Sequence, residues 1–140
     1  MSAAIAIRKA VKPPVRTEHA EQVAVIAWFR IQYPALRGCL IAIPNGAHLA
    51  GTALQRAKKV QRMKSEGFTP GVADLFLMKP SGSHAGLWIE MKRSKFSPSD
   101  VSDEQKAFQG RALAHGYQAV VCGGFEVARD AIRTYLGEGQ

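Results

Sequence analysis

Apolar and polar residues alternate along the chain with two different periods, and the changes of period mark out its elements. From Thr17 to Tyr33, Ala20, Val23, Ile26, Ala27 and Ile31 recur at three- and four-residue spacing, which predicts a helix ended by Pro34. Leu40-Ile41-Ala42-Ile43 reads as a short strand stopped by the turn signal Pro44-Asn45-Gly46. Leu49 to Glu66 predicts a basic helix closed by Gly67, and Pro70-Gly71 leads into two further extended runs. Ser102 and Gln105 form a capping box that opens a helix running to His115. Tyr117 to Cys122 is a buried strand, Gly123-Gly124 a turn, and Phe125 to Leu136 a last helix. This order predicts an α/β fold, a mixed central sheet flanked by helices. Residues 1–16, small, basic and carrying Pro13-Pro14, predict a flexible arm before a single domain over 17–140.

The two central runs hold the chemistry. Asp74 to Met78 and Leu87 to Lys92 fold back around Gly82 as a hairpin in which Asp74 faces Glu90, Phe76 faces Trp88 and Met78 faces Gly86. Strand side chains alternate faces, so Asp74, Glu90 and Lys92 share one side while Leu75, Leu77, Ile89 and Met91 share the other. Carboxylates directly opposed across strands repel and destabilise the pair unless a cation lies between them. An oxygen-rich site for a divalent metal is the usual reason for such a pair, and a lysine one step along the strand adds positive charge where a water or phosphate would lie. A solvated sheet face alternates in the same way. Phe76 and Trp88 on the charged face argue against plain solvation.

Composition narrows the partners. With 140 residues, 46% of them hydrophobic, the chain suits one globular domain, and its 19 Lys and Arg against 11 Asp and Glu give a net charge of +8. A cationic protein of this size suits a polyanion such as nucleic acid. Cys39 and Cys122 lack a Cys-x-x-Cys partner, and His19, His48, His84 and His115 lack metal-ligand spacing, so neither a disulfide framework nor a zinc site is indicated. No apolar run reaches membrane-spanning length and no secretory signal opens the chain, which predicts a cytoplasmic protein without a membrane partner.

The ordered set Glu18-x-x-x-Gln22, Ile43-Pro44-Asn45-Gly46, Gly67-Phe68-Thr69-Pro70-Gly71-Val72-Ala73-Asp74-Leu75, Gly86-Leu87-Trp88-Ile89-Glu90-Met91-Lys92 and Ser102-x-x-Gln105 resembles the VRR-NUC nucleases of the PD-(D/E)xK superfamily. The likeness runs from about Glu18 to Leu136, and the compact length resembles the stand-alone viral and bacterial members, so a phage origin fits. It implies a restriction-endonuclease-like core. By position it makes Asp74, Glu90 and Lys92 the motif aspartate, glutamate and lysine, Glu18 the helical glutamate with Glu21 as a substitute, and Gln22 and Gln105 glutamines that line the site. Ala73 departs from the proline usual there, a residue that shapes the backbone and binds no metal.

The resemblance further implies that Glu18, Asp74, Glu90 and the carbonyl of Met91 hold Mg2+ or Mn2+, while Lys92 orients the nucleophile and stabilises transition-state charge. Arg56, Lys59, Arg62 and Arg93 become candidates for gripping DNA phosphates, although a basic helix face is also what solvent favours. Glu18 at a helix start equally suits the helix dipole, and Gln105 equally suits its cap. Stand-alone relatives act as homodimers on branched DNA, which implies a preference for four-way junctions. The alternatives are a flap or restriction-like endonuclease using the same residues, and a non-catalytic DNA-binding module. Trp28, Phe29 and Tyr33 are read as core packing rather than as dimer surface.

Overall fold

A computed structural model describes residues 14–44 and 49–138. The expected basic arm therefore lies largely outside the described residues, as do Asn45, Gly46 and His48. The elements run α1 (Glu18–Gln32), β1 (Leu40–Ala42), α2 (Ala53–Ser65), β2 (Leu75–Leu77), β3 (Leu87–Lys92), α3 (Asp103–Ala114), β4 (Gln118–Gly123) and α4 (Phe125–Tyr135), with single 3-10 turns at Pro34–Leu36 and Pro98–Asp100.

Local chemistry sets most boundaries. The Thr17 hydroxyl accepts from the Ala20 N–H at 3.1 Å and starts α1. Reciprocal capping boxes open α2, between Thr52 and Gln55, and α3, between Ser102 and Gln105. The box at Thr52 places the start of α2 four residues later than periodicity predicts, because the cap, not the first apolar residue, fixes where helical hydrogen bonding begins.

The strands form one sheet in the order β1-β2-β3-β4, antiparallel across the first two pairs and parallel between β3 and β4. Leu75 pairs with Ile89, Phe76 with Trp88 and Leu77 with Leu87, the register expected of the hairpin. One sheet face, with Leu75, Leu77, Leu87, Ile89, Met91 and Cys122, packs on Val25 and Phe29 of α1 and Ala128 and Ile132 of α4 to form the core. The other face carries Phe76 stacked on Trp88 at 4.3 Å between ring centroids, with Phe108 of α3 edge-on to Trp88 at 5.0 Å.

The face that α1 buries differs from the predicted stripe. Glu21, Val25 and Phe29 are its buried positions, whereas Val23 is 53% and Ile31 82% exposed. Apolar residues surround this helix, so periodicity within it cannot decide between faces. The position of α4 decides instead, through Val25 and Phe29 packed with Ala128 and Ile132 and through the edge-on contact of Trp28 with Phe125.

Candidate functional site

The end of the hairpin away from Gly82 opens into a cleft of about 340 Å³ lined by Glu18, Phe68, Pro70, Gly71, Val72, Asp74, Glu90, Lys92 and Gln105. Four elements meet there. Asp74 immediately precedes β2, Glu90 and Lys92 end β3, Glu18 opens α1, and Gln105 lies in the first turn of α3. The loop before Asp74 packs directly on α3: Gly71 has φ +87°, and a Cβ on it would lie 2.3 Å from the Glu104 carbonyl and 2.7 Å from the Gln105 nitrogen. No side chain larger than hydrogen allows that approach.

Asp74 is fixed by its neighbour strand. Its Oδ2 accepts from the Met91 N–H at 2.7 Å, just beyond the last ladder pair of β2 and β3. Asp74 also hydrogen-bonds the Glu90 carboxyl, and since a carboxylate offers about four lone-pair sites, these bonds still leave sites for a ligand. The Met91 side chain is buried in the core, so only its main chain can serve the cleft.

Glu90 is 5% exposed and Lys92 7%. The Lys92 Nζ stands 3.7 Å from Glu90 Oε1, and Gln105 Nε2 donates to the same oxygen at 2.8 Å. Burial, first, and then the Asp74 charge push the Glu90 carboxyl up to about 8 from 4.5, with Glu18 adding to the effect. The Lys92 ammonium opposes this shift, but burial outweighs a single cation at that distance. A buried acid beside a second carboxylate is a place where added positive charge stabilises the fold.

One amide reconciles two roles for Gln105. Its Oε1 accepts from the Ser102 N–H at 2.9 Å to complete the cap, which forces its NH2 group to be the end that reaches Glu90. The cap is thus also what aims the amide.

Among the described residues no three His, Cys, Asp or Glu side chains converge closely enough to hold a metal ion by themselves. Glu18 is exposed at the cleft wall, so the close carboxylates are the pair Asp74 and Glu90. All available donors in the cleft are oxygens, from carboxylates or main-chain carbonyls, and neither Cys nor His lines it. That donor set fits a hard divalent cation with water completing its shell, and does not fit zinc held by thiolate or imidazole.

The remaining sequence candidates lie elsewhere. Glu21, the substitute for Glu18, is buried away from the cleft, where its carboxylate accepts from the Phe125 N–H. Gln22 lines a shallow groove on the outer side of α1 with His19, Val23, Ile26, Ala27 and Arg30, so it does not join the site. Arg93 follows Lys92 but is exposed outside the cleft. Arg56, Lys59 and Arg62 are exposed on α2, where they bond the Gly51 carbonyl, the Ala50 carbonyl and Glu66 respectively. Such exposed contacts contribute little and yield readily to a phosphate. No residue of α2 is buried, and Phe68, shortly after it, lines the cleft. Sequence reasoning missed Phe68, Pro70 and Val72 as lining residues; their signal was adjacency to Asp74 within a Pro-Gly turn. Cys122, with burial pushing its thiol up to about 12, is an inert core residue.

The model of the VRR-NUC domain matches residues 16–126. A solved structure of a VRR_NUC domain protein is 26% identical, with 91% of this chain and 93% of that one covered at a TM-score of 0.71. Its likeness identifies the mixed sheet and four helices as a PD-(D/E)xK-type nuclease fold. No curated protein matches the chain.

Proposed function

The chain belongs to the VRR-NUC domain family, which implies nuclease-type processing of DNA, and on that footing we propose that it is a Mg2+- or Mn2+-dependent endonuclease that cuts four-way junctions as a two-fold homodimer. The observation that carries the catalytic part is Glu90: a buried carboxyl facing Asp74, with the Lys92 ammonium 3.7 Å and the Gln105 amide 2.8 Å from one oxygen. A non-catalytic binding module has no use for a buried, mutually repelling acid pair.

Asp74, Glu90 and the Met91 carbonyl would hold the cation, with Glu18 reaching it from the cleft wall. A bound divalent cation supplies Lewis acidity toward a phosphate oxygen and a nearby water. The protein's own groups do the rest. The Met91 N–H fixes Asp74, and Gln105 fixes Glu90, so the donor oxygens are oriented before substrate arrives. Lys92 places its ammonium where charge develops on the attacked phosphoryl group. Water oxygen forms the new bond to phosphorus, the bond from phosphorus to one ester oxygen breaks, and the proton lost by water balances the one gained by the leaving alkoxide.

Arg56, Lys59, Arg62 and Arg93 supply phosphate contacts outside the cleft, with α2 free of core packing to meet DNA. The described residues of one chain form one such cleft, and a two-fold pair would present two to a two-fold substrate. Apolar surface for a partner exists at Ile31, 82% exposed, and Leu54, 65% exposed. The test is cleavage of labelled duplex, single-stranded, flap and four-way junction DNAs with Mg2+, with Mn2+ and with chelator. Paired symmetric nicks in the junction are expected. Equal cutting of linear duplex by a monomer would replace the junction reading with a flap or restriction-like one, and binding without any cutting would leave only the binding module.

A further inference from the structure

The geometry points to Glu21 as a positioning residue for the proposed cleavage site, acting through the turn that joins β4 to α4; this rests on the endonuclease reading above. Glu21 is 6% exposed on the inner face of α1, one turn after Glu18. A carboxylate in such a place needs a strong partner. Its partner is the Phe125 N–H, the first amide of α4.

The need for that bond arises from Gly124. Gly124 is the residue before α4 and has no side chain to cap it. Its φ of +88° favours glycine, and a Cβ there would lie 3.2 Å from the Ser94 Cβ and 3.5 Å from the Glu21 carboxylate. Glu21 therefore supplies from another helix the cap that this turn cannot supply itself, and its negative charge sits at the positive end of α4.

The same turn holds the site. The Gly124 N–H donates to the Lys92 carbonyl at 2.8 Å, so the residue next to the capped amide anchors the last residue of β3. Glu21 thus ties two cleft residues to one frame: Lys92 through Gly124, and Glu18 through the first turns of α1. The other buried anchors of α1, Val25 and Phe29, lie one and two turns farther from Glu18. Without Glu21 the end of α1 that carries Glu18 has no buried anchor of its own.

The test compares Glu21→Ala, Glu21→Gln and the parent protein, each assayed well below its melting temperature. Glutamine keeps an acceptor oxygen for Phe125 but is a poor replacement for a metal-binding carboxylate. We expect Glu21→Ala to lower kcat roughly 10- to 100-fold with little change in KM, the size of loss that a displacement of about 1 Å produces. Glu21→Gln should stay within about fivefold of the parent, losing only the charge on the helix dipole. Amide hydrogen exchange, read without metal or DNA, should quicken at Phe125 and Gly124 in Glu21→Ala and not in Glu21→Gln. Equal loss of cutting in both variants would make Glu21 a ligand and overturn the inference. Unchanged exchange at Gly124 in Glu21→Ala would overturn it too. If the parent cuts no DNA with either metal, the endonuclease reading fails while the exchange result still decides whether Glu21 holds the turn.

Discussion

Replacing Glu90 with Gln should make the metal-free protein more stable at alkaline pH, although it removes a carboxylate of the proposed metal site. The folded carboxyl titrates near 8, whereas its ordinary value is 4.5. A group whose folded pKa is raised contributes stability in its protonated form. That contribution is complete below the unfolded value and is lost as pH rises through the folded one, here between about 4.5 and 8. Each pKa unit corresponds to about 1.4 kcal/mol, so the rise in pH from the unfolded to the folded value, across which the unfolded chain ionises while the folded carboxyl stays protonated, removes on the order of a few kcal/mol. For a domain of this size that is a melting-temperature difference of roughly 10 °C. Glutamine is the nearest permanent copy of the protonated acid: it keeps an oxygen for the Gln105 amide and leaves Lys92 beside a neutral group, as in the parent protein at low pH.

The assay is thermal melting in chelator from pH 5 to pH 9 for both proteins. The difference between their melting temperatures should be smallest near pH 5, widen steadily up to about pH 8 and level off above it, with the Gln variant higher. Added Mn2+ should raise the parent, because a ligand that binds only the folded state stabilises it by mass action, and should raise the variant far less. All other titrating groups are common to both proteins, so the difference between the curves isolates Glu90. Parallel curves across the whole range would refute the claim that burial and Asp74 hold this carboxyl protonated.

Lys92→Ala and Asp74→Asn should each reduce cutting by about 100-fold or more while junction binding persists, because in the proposed mechanism these groups serve the transition state; gel-shift and single-turnover assays on one substrate separate the two effects. Ser102→Ala and Gln105→Ala should both cost about 1 kcal/mol as the α3 cap is lost, in chemical denaturation, but only Gln105→Ala removes the hydrogen-bond donor to Glu90. Cutting should therefore fall much further for Gln105→Ala. Neutralising Arg56, Lys59 and Arg62 together should weaken binding equally across DNA sequences and flatten the slope of log affinity against log salt by up to about 3. An unchanged slope would return α2 to a solvated face.

The parts of this fold legible from sequence are those fixed by local rules. The hairpin register followed from Gly82 and strict alternation, and it placed Asp74, Glu90 and Lys92 together because strand geometry leaves a side chain only two faces. The Ser102 cap was legible for the same reason, being a contact of three-residue span. The inner face of α1 was not. Apolar residues ring that helix, so Glu21, a charged residue, could take a buried position only because an unpaired amide at Phe125 awaited it, and no spacing rule connects residues so distant in sequence. Gln105 was legible as a cap and as a site residue, but only as alternatives, since a sequence does not show that the two ends of one amide face different partners.

These cases share a physical logic that bears on how the cleft is built. Its acids are costly to hold together, and each is restrained by a group with a second structural duty. Met91 gives its N–H to Asp74 while its side chain fills the core. Gln105 caps α3 while it holds Glu90. Gly71 closes on the first turn of α3 and so keeps the Asp74 loop against the helix that carries Gln105. Repulsion between Asp74 and Glu90 would otherwise relax by rotation of either side chain into solvent, at the small cost of a rotamer change. Because the restraining groups belong to a strand, a helix cap and a close-packed loop, moving the acids apart requires disturbing the fold itself. The cleft can therefore keep two carboxylates opposed in the absence of any cation, at the cost of a raised Glu90 pKa rather than of lost geometry.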